Sequence, residues 1–323
     1  MRKRILKAAR EVGIKEKGTI GTYFHVDDSS EIFCKENLLE FSHLEDGGYM
    51  IKSLPNVKIR SPVQACFLIT KDGFKQNVYN EIISEENSEL HIIVGCTSLR
   101  GTNYGFHMSN TKIRVKKNSK LSLTMIHRWG EEFEVKPNTH VTIENGGYFI
   151  CNFVSLHGAK ILRMMADVGC RKNAVVKFNT VMLANLNSKL DIETEIYLEG
   201  KKSKAEILSK GVSRGGEIIN KAKLIGKAGG VSGHLDCRGL MLSNEGKIVA
   251  VPQLDAENID AKLTHEAAIG RIAEEEIFYL MTRGLSEDEA VSMIVRGFLN
   301  IENGDLPSEI KRETDRLVEK AIL

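Results

Sequence analysis

Short runs of alternating apolar and polar residues recur from about residue 60 to residue 262: KLSLTM, HVTIENGGYF, KLDIETEIYL, KAEILSKGV, GEIINKAKLI and GKIVAVP. Alternation with a period of two marks strands that bury one face. Many runs open alike, with a small or polar residue, a charged residue and then an apolar one. Ser188-Lys189-Leu190, Ser203-Lys204-Ala205, Gly216-Glu217-Ile218 and Gly246-Lys247-Ile248 are examples. The apolar markers Ile161, Val175, Leu190, Ala205, Ile218, Leu235, Ile248 and Leu263 follow one another at nearly even intervals. A sandwich gives shorter spacings, whereas a solenoid repeats at near-constant intervals because each coil buries its inner face on the next. Two intervals make a coil of about thirty residues. No six-residue repeat occurs, which disfavours a left-handed hexapeptide helix. The expectation is a mainly β chain with a right-handed parallel β-helix (a β-solenoid) at residues 61–262.

The periodicity changes at the ends. Ile5, Leu6, Ala9 and Val12 share one face of a short helix in an N-terminal region, 1–60. After Leu263 the pattern becomes helical, giving a C-terminal helical cap at 263–323. Glu274 to Arg283 reads as one helix stopped by Gly284. Ser286 and Glu289 form a capping-box pattern opening a second helix, through Val291, Ile294 and Val295 to Gly297. Pro307, Ile310, Leu317 and Val318 mark a last one. Solenoids need closed ends, so the simplest role for these helices is closure.

Of the 323 residues 42% are hydrophobic, enough for a long core, and only five are proline, so Gly, Asn, Asp and Ser must make the corners. Lys and Arg number 45 against 43 Asp and Glu, a balance with no electrostatic case for nucleic acid or membrane binding. The basic N-terminus lacks the apolar core of a signal peptide and no run is long enough to span a bilayer, so a soluble cytoplasmic protein is expected. Cys34, Cys66, Cys96, Cys151, Cys170 and Cys237 are scattered with no CxxC pair, which argues against a zinc site or a disulfide framework.

Familiar catalytic motifs are absent. HEAAI, from His265, has Ile269 where a zincin needs a second His, and neither a P-loop nor a GxSxG elbow exists, so no nucleotide is expected on this chain. The glycines of KLIGKAGGVSGHLDC lack dinucleotide-site spacing and suit solenoid corners. One constellation remains. His265 and Glu266 follow Cys237 at a separation just under one such coil. Thiolate, imidazole and carboxylate then fall nearly one above another, and such a set holds iron and sulfide loosely. His265 and Glu266 equally suit a purely structural role at a junction of strand and helix.

The stretch HEAAIGRI followed by EEEIFYLMTRGLSEDEAVSMIVRGFL, with GHLDCRGLMLS upstream, resembles the SufB/SufD family, scaffold subunits of the SUF iron–sulfur cluster assembly machinery. The resemblance runs from about Lys189 to Leu299 and is weaker over residues 1–90. It implies a right-handed β-helix with helical ends and a transient iron–sulfur cluster built at Cys237, His265 and Glu266. Having all three, the chain looks SufB-like at the site. Cys96 in HIIVGCTSL resembles the position that accepts persulfide sulfur, and Trp129 matches beside it. His127, Leu156 and Leu68 stand where Gln, Lys and Arg are common, so the polar sulfur-transfer route lacks those groups. The N-terminal cysteine cluster of some SufB proteins is also missing.

A short, archaeal-type member serving as both partners of a homodimer is the implied form. The implied energy source is SufC, an ABC-type ATPase docking between Glu274 and Leu299, with Ile294, Phe298 and Leu299 as candidate contacts that suit the core as well. Two other classes compete. One is a passive β-solenoid adaptor without a metal role, in which Cys237 would be dispensable. The other is a polysaccharide-cleaving β-helix, which needs acidic or Arg groups along one face and usually export.

Overall fold

The structure is a computed structural model and describes residues 2–15, 18–34, 38–45 and 47–300. Two sheets face each other across one apolar interior. Each coil contributes one strand to each, and about eight turns stack into a parallel β-solenoid. Strand β14 (Lys189–Leu198) points Leu190, Ile192, Ile196 and Leu198 inward and its charged residues outward. The next strand on that sheet, β16 (Glu217–Gly226), pairs with it in parallel without a slip, and β18 (Lys247–Ala256) repeats the step. Leu190, Ile218 and Ile248 therefore form one column, each a single coil beyond the last. Because side chains alternate, an unbroken register keeps every apolar set inside.

The corners are made as the low proline content requires. Asn56, Asn87 and Asn118 take left-handed backbone, φ 61, 55 and 54°. Their amides stack, Asn87 Nδ2 donating to Asn56 at 3.0 Å and Asn118 Nδ2 to Asn87 at 3.4 Å. Asn tolerates this conformation because its short side chain bonds locally.

Both ends differ from the expectation. The N-terminal region is more than a short helix. After α1 (Arg2–Glu11), β1 (Gly21–Val26) and β2 (Ser29–Cys34) form a hairpin, as do β3 (Leu39–Leu44) and β4 (Gly48–Ser53). β1 continues the first sheet in parallel with β5 (Val63–Ile69), and β4 continues the second with β6 (Lys75–Ser84), so the solenoid starts well before residue 61. At the other end, Lys262–Arg271 is a last strand, β19, paired over its whole length with β17 (Ser232–Met241). The change to helix comes only after Arg271, later than the sequence pattern placed it. The small residues of EAAIG carry no alternation, and pairing with β17 decides their conformation.

Two helical pieces cover the outer face of the first sheet. Near α1, Ala9, Val12 and Ile14 pack with Cys66 of β5 and Ile93 of β7 (Glu89–Ser98). The fit depends on Gly95, where a Cβ would lie 2.4 Å from Val12 Cγ2. Helix α2 (Glu274–Met281) is followed by Gly284 at φ +94°, and α3 (Glu287–Leu299) starts with the expected Ser286–Glu289 capping box. Val295 and Leu299 of α3 pack with Val212 and Leu240 in the same outer cluster as α1. Pro307, Ile310, Leu317 and Val318 lie outside the described residues. Among those described, no helix is long and apolar enough to cross a membrane.

Candidate functional site

Cys237 sits on β17 with Gly233, Leu235 and Gly239 as its inward-facing neighbours, and is only 2% exposed. Its register partner on β15 (Lys204–Arg214) is Ser209, whose Oγ accepts from Thr180 Oγ1 at 2.7 Å. From the opposite sheet, Asn220 Nδ2 donates to Cys237 Sγ at 3.2 Å. A cavity of about 10 Å³ lies beside the sulfur, lined by Ser209, Gly211, Asn220, Gly239 and Ile269 among others. Burial pushes the thiol up to about 11, Asp236 adds to the rise, and the Asn220 hydrogen bond opposes it. At neutral pH the group is a protected thiol, which a metal or an opening of the coil must convert to thiolate.

The residue opposite Cys237 on β19 is Ala267. His265 pairs with inward-facing Leu235, so it shares the Cys237 side of the sheet. It is exposed because β19 is the last strand. Glu266 pairs with Asp236 on the outer side. There Arg238 holds Asp236 in a two-pronged ion pair, Nε–Oδ1 at 3.1 Å and Nη2–Oδ2 at 2.8 Å. That pair raises the Arg238 pKa first, and Glu266 adds to it. The fold brings Cys237 and His265 to one face and sets Glu266 on the other. The coil ends one position past Glu266, and a single position of offset reverses the face. Among the described residues, no three His, Cys, Asp or Glu side chains of one chain converge to hold a metal ion.

Cys96 lies on β7, inside the solenoid, and burial holds its thiol well above the ordinary range. Its register partner on β9 (Lys120–Arg128) is His127, and the column continues through Ser155, Met182, Gly211 and Gly239. Cys96 and Cys237 are thus five strand spacings apart, about 24 Å. Trp129 Nε1 donates to His127 Nδ1 at 3.3 Å, so the neutral ring carries its proton on Nε2, which is buried with no partner. His107, its ring 5.0 Å from that of Trp129, bonds Gln76 Oε1 through Nδ1 at 2.9 Å, and its Nε2 is likewise buried and unpartnered. Burial lowers both histidines, His127 to about 3. Leu68 faces outward near Ala8 and Leu99, and Leu156 lies on β11 (Tyr148–His157).

Of the candidate docking residues, Leu299 is fully buried and Phe298 packs on the same cluster, so both belong to the core; Ile294 is half-buried. On α2 and α3 the exposed large apolar side chains are Phe278, Tyr279, Met281 and Met293. Sequence reasoning missed these, along with Asn220 and Ser209. An Asn in GEIINKAKLI and a Ser in KAEILSKGV look like ordinary strand residues until the register sets them beside a sulfur.

Two sheets wound into one parallel solenoid, with a sulfur buried in the coil next to its unpaired end, define a β-solenoid built around a protected thiol. The family model for the SUF system FeS cluster assembly, SufBD core domain, matches residues 67–298. The chain belongs to the SufBD family of iron–sulfur cluster assembly proteins, and membership gives it a role in that process. A relative from Archaeoglobus fulgidus, an iron–sulfur cluster assembly SufBD family protein, is 46% identical over 286 residues, 87% of this chain and 77% of the relative. One from Methanothermobacter thermautotrophicus is 39% identical over 280 residues, covering 86% and 68%. One from Pyrococcus horikoshii is 33% identical over 278 residues, covering 86% and 62%.

Proposed function

We propose that this chain is a scaffold on which an iron–sulfur cluster is assembled and from which it is passed on. The observation that carries this reading is the placement of Cys237, a buried thiol one strand from the unpaired end of its sheet, with His265 on the same face of the next strand. Cys237 supplies the thiolate and anchors sulfide, and His265 is an exchangeable second ligand to iron. A cluster takes about four protein ligands, mostly thiolate. One chain offers one thiolate and one imidazole here, so the set is completed by a second copy.

That copy docks on the unpaired edges. Among the described residues, strands β18 and β19 each have a neighbour on one side only. Val251, Ile259 and Ile269, in and between them, are exposed. Long unpaired edges with apolar side chains are surfaces that proteins cover. A two-fold axis there brings two Cys237–His265 pairs together and offers each Glu266, which its own coil turns outward, to the other chain. The few thiolates hold the cluster loosely, which suits delivery. Cys96, five strands back along the same sheet, is the entry point for sulfur, with Trp129 and His127 around it.

The partner is an ABC-type ATPase of the SufC kind. Phe278, Tyr279 and Met281 line an open groove on α2 of about 690 Å³, edged by Glu274, Glu275 and Glu287. An amphipathic surface rimmed with acid suits a protein partner. The passive-adaptor reading explains neither the buried amide on Cys237 nor the family. Anaerobic reconstitution with ferrous iron and sulfide, followed by Mössbauer spectroscopy, tests the proposal. Wild type acquires a cluster and Cys237→Ala loses nearly all of it, whereas equal iron and sulfide in both would reduce Cys237 to a core residue.

A further inference from the structure

One interior column of the second sheet reads Met164, Ile192, Asn220 and Ala250 in register. Asn220 is the polar exception, and it is buried. An amide among hydrocarbon is unfavourable unless its hydrogen bonds are made. The level at which it intrudes is that of Cys237, whose Sγ takes its N–H at 3.2 Å across the space between the sheets. Beside the sulfur, Gly211 and Gly239 are register neighbours and leave two rungs without side chains. The cavity of about 10 Å³ opens there. That is room for about one water-sized probe, so a sulfide, about twice that volume, enters only as the walls part.

We propose that Asn220 is a positioning residue for the sulfur chemistry of this chain: its amide N–H directs Cys237 Sγ at the cavity, and the Gly211–Gly239 pair keeps that side of the sulfur clear of side chains, so that a sulfide enters as the walls part. The inference rests on the reading of Cys237 as the sulfur anchor. Sulfur that carries negative charge between two sheets has no water to solvate it, and a fixed N–H donor replaces that water. Approach from the opposite sheet also ties the direction of the sulfur to the spacing of the two walls. A shift of β16 against β17 therefore releases it.

Three variants separate the parts. Asn220→Leu keeps the branched outline with bulkier methyl ends and removes the donor in a column that already holds Ile192 and Ala250. Asn220→Gln keeps an amide. Gly211→Ala fills the cavity, its Cβ meeting the flexible end of Ile218 at 3.0 Å, and leaves the amide alone. In the metal-free protein under anaerobic conditions, the S–H stretching band of Cys237 is assigned by its loss in Cys237→Ala. It shifts in Asn220→Leu, returns toward wild type in Asn220→Gln and stays in place in Gly211→Ala. After reconstitution with ferrous iron and sulfide, Asn220→Leu and Gly211→Ala both release sulfide about tenfold faster than wild type when an iron chelator is added, while Asn220→Gln is close to wild type. An unmoved S–H band in Asn220→Leu, or equal release from all four proteins, overturns the proposal. Should wild type take up no iron or sulfide, the scaffold reading fails, and the infrared comparison still decides whether Asn220 directs the sulfur.

Discussion

Ala267, and neither His265 nor Glu266, stands opposite Cys237 across the last pair of strands. His265 consequently shares a face with the sulfur and Glu266 does not. The three residues should therefore contribute unequally to reconstituted cluster. Cys237→Ser removes most iron and sulfide, His265→Ala a smaller share because imidazole is the more replaceable ligand, and Glu266→Gln the least. Iron and sulfide assays on the three variants check the order, and a loss with Glu266→Gln matching that of Cys237→Ser would overturn it.

The two ends of the helical cap should respond in opposite ways. Leu299 is fully buried in the outer cluster, so Leu299→Ala lowers stability by about 2–5 kcal/mol. Phe278 is 67% exposed, so Phe278→Ala changes stability by less than about 0.5 kcal/mol. Under the proposed function it weakens binding to an ABC-type ATPase. Denaturant titration and a pull-down distinguish them.

Gly95 holds the chain after α1 against the sheet. Gly95→Ala places a methyl within 2.4 Å of Val12 Cγ2 and costs about 1–3 kcal/mol. Val12→Ala in the same chain relieves the clash, so the double variant is more stable than the sum of the single losses predicts. A double-mutant cycle measured by urea unfolding reads this directly.

Acid should weaken the solenoid through its buried histidines. Burial lowers the His127 pKa to about 3 from its ordinary 6.5, and His107 moves the same way. Between those values the unfolded chain binds protons that the folded chain excludes. Stability present above pH 6.5 is therefore lost as pH falls toward 3, at about 1.4 kcal/mol per unit for each such group. His127→Gln removes one of them, and its loss of stability between pH 7 and pH 5 should be smaller than that of wild type by about 1–2 kcal/mol. Unfolding curves at the two pH values give the comparison.

A charge on the unpaired edge should separate the copies. Ile269 is 44% exposed on β19, and Ile269→Lys puts an ammonium on the edge where the proposed second chain would pack. Sedimentation should move to the monomer with the circular dichroism of the fold unchanged, and reconstituted cluster should fall with it. A variant that remains dimeric would place the interface elsewhere.

Much of this protein is written locally. Ser188-Lys189-Leu190 and its echoes at Gly216 and Gly246 mark strand starts, because every coil must bury the same face on the last, and Leu190, Ile218 and Ile248 do stack in one column. The capping box at Ser286 is equally local, since its partners sit within one helical turn. The family was legible too, in the HEAAIGRI junction and the helices after it. What tertiary structure alone decided is register. Whether Glu266 or Ala267 comes to stand opposite Cys237 depends on how the corners on either side of β18 are made, and that single position sends Glu266 to the outer face. The strand state of Thr264 to Arg271 comes from β17, not from its own small residues. Asn220 meets Cys237 only because two sheets from different parts of each coil close on one another, a contact that no spacing along the chain encodes.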